Sequence, residues 1–63
     1  MEPLTKSQQN LRGRQIGEMS VEQLRDWIDA CEKMEKSVKY NKARRDWKSS
    51  RDEAMAELAS RGQ

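Results

Sequence analysis

Arg44, Lys48 and Arg51 stand at i, i+4 and i+7, so on a helix they make one basic ridge. Such a ridge can track phosphates, and each contact adds salt dependence. Lys42 and Tyr40 sit at its upstream end, and Tyr40, between Lys39 and Lys42, is placed to stack on a base. These five residues are the candidates for direct nucleic-acid binding. Glu22, Asp26 and Asp29 repeat the spacing in acidic form. They would give a docking ridge for a basic protein partner. Each ridge is equally what a solvated helix face looks like. Trp27 and Trp47 belong to the type enriched as interface anchors, and a small core needs such residues too. Asp52 lies between the basic ridge and the apolar positions Trp47 and Leu58. A carboxylate there can meet a partner's Arg or Lys at the edge of an apolar patch, where partial desolvation strengthens the pair.

Catalytic chemistry is poorly supplied. The chain has no His, which removes the commonest general base and metal ligand. Its one cysteine, Cys31, can make neither an internal disulfide nor a structural zinc site, and no neighbouring base would activate it. The 11 carboxylates would need a pocket to work as a catalytic pair, and a chain of 63 residues offers little concavity. The expectation is a single small non-enzymatic domain with no cofactor and no metal. No apolar run approaches the length of a signal segment or a membrane span. A cytoplasmic protein with no membrane partner is therefore expected.

The elements that must position these residues are helical. Ser20 and Gln23 form a capping box, with Met19 and Leu24 placed as a hydrophobic staple and Glu22 in the first turn. From Ser20 to Ser60 there is no Gly or Pro, and good helix formers dominate. Val21, Leu24, Trp27, Ile28, Cys31, Met34 and Val38 share one stripe, and Tyr40, Ala43, Trp47, Ala54 and Leu58 share another. Between Val38 and Tyr40 the stripe swings by roughly half a turn, far beyond the helical drift of about 20° per heptad. An unbroken helix would bury opposite faces in its two halves. The spacing therefore predicts helices over about 21–36 and 41–60, packed as an antiparallel hairpin, with Ser37 or Asn41 at the break. Residues 1–19 read as an arm: Pro3 suits a start, Gly13 and Gly17 interrupt, and Thr5 with Gln8 can cap a short helix over 6–12. Leu4, Leu11 and Ile16 allow the arm to fold back on a core but not to fold alone.

Several stretches resemble the Hha/YmoA family of nucleoid-associated expression modulators. They are Pro3-Leu4-Thr5-Lys6, Leu11-Arg12 with Arg14, Ser20-Val21-Glu22-Gln23-Leu24 with Ile28, and Trp47 with Ser49, Asp52 and Ala56-Glu57-Leu58. They occur in the family's order. The resemblance implies a helical, non-enzymatic protein that binds the dimerisation region of the H-NS nucleoid protein and helps silence genes. It places the family's partner-binding aspartate at Asp52.

The balance of charge is +2 overall, but Lys36–Arg51 holds seven bases against one acid, Asp46. One hairpin cannot bury both sides of its stripes, so a homodimer or a stabilising partner is expected. The leading expectation is an all-α regulatory adaptor, 1–19 an arm and 20–63 a hairpin, docked on a larger protein. Direct nucleic-acid binding by a helical dimer, and inhibition of a host enzyme in the manner of a phage protein, are the alternatives.

Overall fold

Ser20 opens a helix in the way its hydroxyl permits. Its Oγ accepts from the Gln23 amide at 3.1 Å, and Gln23 Oε1 accepts from the Ser20 amide at 2.9 Å. Thr5 and Gln8 repeat the same reciprocal pair at 3.1 and 3.0 Å. Two of the orphan amides at each helix start are thereby satisfied. The structure is a computed structural model and describes residues 4–62; Pro3, at the expected start of the arm, and Gln63 lie outside them. It is all-helical among those residues: α1 Lys6–Leu11, a 3-10 turn Ile16–Glu18, α2 Val21–Ser37 and α3 Asn41–Ser60.

The break falls where the stripe swings. Ser37 Oγ donates back to the Lys33 carbonyl at 2.8 Å, and the Val38 amide closes on the Met34 carbonyl at 3.0 Å. Val38 and Tyr40 are then extended, as suits a β-branched and an aromatic residue with modest helix preference. Neither Ser37 nor Asn41 caps the new helix: Ser37 finishes α2, and Asn41 is already the first residue of α3. The cap position belongs to Tyr40, whose side chain makes no capping bond. Tyr40 was expected on the apolar stripe. Outside the helical register it points away instead, and 80% of it is exposed.

The two long helices pack together and run antiparallel. Arg61, just past α3, donates to the carbonyls of Met19 and Gly17, just before α2. Near the other end Arg51 of α3 meets Glu35 of α2 at 2.8 Å. The core consists of Leu11, Met19, Leu24, Trp27, Ala30, Cys31 and Ala54, with Leu4, Ile16, Ile28, Trp47 and Leu58 packed at its margin. Leu11 and Met19 come from the arm. Gly13 turns the chain after α1 at φ +86°, a value that L side chains avoid, and lets the arm lie back on the hairpin. The arm thus supplies cover that two helices lack. From α3 the fully enclosed residue is Ala54, whose small side chain lets that helix approach α2 closely.

Leu24 has no exposed surface. Leu24→Ala should therefore cost about 2–5 kcal/mol of stability, read by urea denaturation followed by circular dichroism.

Candidate functional site

The acidic ridge is divided by the arm. Gln8 of α1 is buried, and its Nε2 donates to Asp29 Oδ2 at 2.7 Å, to Asp26 Oδ1 at 3.1 Å and to the Asp26 carbonyl at 3.3 Å. Its Oε1 accepts from Lys33 Nζ at 3.2 Å as well as from the Thr5 amide. Lys33 also pairs with Asp29 at 3.3 Å. Asp26 and Asp29 therefore already hold a donor from this chain. Glu22 stays exposed and borders a shallow groove between α1 and α2, lined also by Ser7, Asn10, Arg14 and Gln23. The Gln8 hydrogen bond holds the Asp29 carboxyl below the usual aspartate range; partial burial opposes this, and Lys33 reinforces it.

The two tryptophans meet each other. Their ring centroids lie 5.8 Å apart, tilted by 53°, within the favourable range for aromatic pairs. Trp27 is buried in the core. Trp47 is half-buried, and the Arg12 guanidinium sits 5.8 Å from its ring centroid. Both rings thus join α2, α3 and the arm from within.

The basic ridge does not stay together either. Arg51 turns towards α2, where its Nη1 meets Glu35, and its Nε is buried without an acceptor among the described residues. Arg44 remains exposed and donates to the Val38 carbonyl at 3.2 Å, bridging the turn. Lys42 and Lys48 are exposed. A shallow depression beside Arg51 is lined by Glu32, Glu35, Lys36 and Arg44, so both signs of charge face it.

Asp52 also points outward. Its side chain is 60% exposed, and one oxygen lies 3.6 Å from Arg51 Nη2. Arg51 is itself paired with Glu35, so Asp52 lies at the end of a run of charges Glu35–Arg51–Asp52. Met55, Ala56 and Ala59 stand exposed beside it at i+3, i+4 and i+7. Met55 is half exposed and, among the described residues, is with Tyr40 one of two large hydrophobic residues in the open. The sequence pattern named Asp52 as a candidate and not Met55, which lies off both apolar stripes. Nor did it carry the contacts of Gln8 with Asp29, Glu35 with Arg51 and Arg12 with Trp47, which are remote in sequence.

Cys31 has no exposed surface, and burial pushes its thiol up to about 11, with Arg51 opposing and Glu35 and Glu32 adding to the shift. It is a protonated core group at neutral pH. Among the described residues no cluster of His, Cys, Asp and Glu could hold a metal, and no helix is long and apolar enough to cross a membrane.

Two outcomes follow. Asp29 ionises more readily in the folded protein than in the unfolded chain. Its contribution to stability is therefore present above its ordinary value of 3.8 and fades as pH falls below it. In thermal melts from about pH 6 to pH 2.5, the stability gap between wild type and Asp29→Asn should narrow towards the acid end. The native Cys31 thiol should react with a thiol reagent at least roughly 100-fold more slowly than the urea-unfolded chain, followed by absorbance at pH 8. No family model matches the chain, and neither the curated proteins nor the solved structures compared with it yield a match.

Proposed function

We propose that this protein is a small non-enzymatic helical adaptor of the cytoplasm that docks on a larger protein through the outward face of α3. The observation that carries the reading is an exposed carboxylate, Asp52, beside an exposed apolar strip of Met55, Ala56 and Ala59. A partner's Arg or Lys would pair with Asp52 while the methionine fits the apolar surface around it. Arg51, paired with Glu35, lies 3.6 Å from the carboxylate and leaves it open to a second cation. Trp27 and Trp47 contribute indirectly, by fixing α3 on α2. Asp26 and Asp29 are engaged by Gln8, which leaves Glu22 as the exposed member of the acidic ridge.

The resemblance to the Hha/YmoA family supplies a first partner to try, the dimerisation region of the H-NS nucleoid protein, and with it a role in gene silencing. The same face could instead pair two copies of this chain. Titration calorimetry against that region should give binding that Asp52→Ala weakens by about 1–3 kcal/mol, with helicity unchanged. Equal binding by the variant would overturn the placement of the site, and absence of binding by the wild type would overturn this partner. Sedimentation of the protein alone reports the homodimer.

A further inference from the structure

The end of the molecule opposite Arg61 is the α2–α3 turn. Tyr40 stands there 80% exposed, with no capping bond and no place in the core. Lys36, Lys39, Lys42, Arg45 and Lys48 are all exposed around it, and none makes an ion pair among the described residues. Arg44 is also exposed and is pinned across the turn on the Val38 carbonyl. The acids nearby are few. Asp46 is exposed on α3, Glu32 is exposed on α2, and Glu35 is occupied by Arg51. The first turn of α3 carries no acid.

This arrangement is not the ridge expected from spacing, because Arg51 has left it. It is a cap of free cations around one open aromatic plane. We propose that the turn binds single-stranded nucleic acid, with Tyr40 as a stacking platform for a base and Lys39, Lys42 and Arg45 on the flanking phosphates. A base presents its face to such a ring when it is unpaired, and stacking tolerates any sequence. Paired bases in a duplex keep their faces inside the stack, so the duplex would use the cations but not the ring. A membrane surface would call for a broader apolar face than one ring and the half-buried Val38 provide. An acidic protein would use the cations and gain little from an open aromatic plane. The surface is separate from the Asp52 face, so the proposal does not depend on the adaptor reading.

The test is fluorescence anisotropy of a labelled ten-nucleotide oligothymidylate with the full chain, at two salt concentrations. Binding should weaken with salt, with a slope in log–log form of about −0.7 per phosphate engaged. Tyr40→Ala should lose roughly tenfold in affinity at unchanged slope, whereas Tyr40→Phe keeps it. Lys39→Ala with Lys42→Ala should lower the slope by about 1.4. Asp52→Ala should bind the oligonucleotide like the wild type. Any of these would overturn the proposal: no binding of the oligonucleotide, equal affinity of Tyr40→Ala, or equal or tighter binding of a ten-base-pair duplex. Equal binding of polyglutamate at matched charge would overturn it in favour of an acidic protein.

Discussion

The amide of Gln8 is the joint on which the tertiary arrangement turns. A primary amide has two donors and one acceptor oxygen with two lone pairs. Here the nitrogen serves Asp26 and Asp29, and the oxygen serves Thr5 and Lys33. The same side chain that starts α1 therefore also fixes α1 on α2. That contact brings Leu11 into the core and Arg12 over Trp47. Two helices alone would leave this side of the hairpin open, since each can bury one stripe and α3 encloses only Ala54. The arm closes what the hairpin cannot, and it uses a polar bond at 18 and 21 residues' separation to do so.

Arginine and lysine divide the work of the surface. Arg12 lies on a tryptophan, Arg44 on the Val38 carbonyl, Arg51 on Glu35, and Arg61 on the Met19 and Gly17 carbonyls. A planar guanidinium with five donors can stack and can bridge two acceptors at once, and it sheds water more readily than an ammonium. Four of these side chains therefore act as ties between elements. Lys33 aside, the lysines of α2, the turn and α3 stay outward. Exposed positive charge is densest around the turn, while the Asp52 face sits further along α3.

These two surfaces have different physics. Around Asp52 the carboxylate lies beside Arg51 and is flanked by methyl-bearing side chains, which suits a directional pair at the edge of an apolar contact. Around Tyr40 the charges are exposed and mostly positive, which suits a flexible polyanion. The two lie apart along α3, so a single short chain presents both as distinct faces.

Local order was legible in the residues themselves. Both capping boxes, the break near Val38 and the limits of α3 were all readable, because each depends on neighbours within four or five positions. The burial of Leu24, Trp27 and Cys31 was readable from helical period for the same reason. Tyr40 was misplaced because the period stops at a cap, and a residue one step outside the helix no longer follows it. The site was legible only in part. Asp52 stood out by its position, but the ridges Glu22-Asp26-Asp29 and Arg44-Lys48-Arg51 were each broken up by a contact from another element. Which polar groups face each other across helices depends on the rotation of each helix about its axis and on where the arm lands. Spacing along one chain segment carries neither quantity, so the pairing of Gln8 with Asp29 and of Arg51 with Glu35 was decided only when the elements packed.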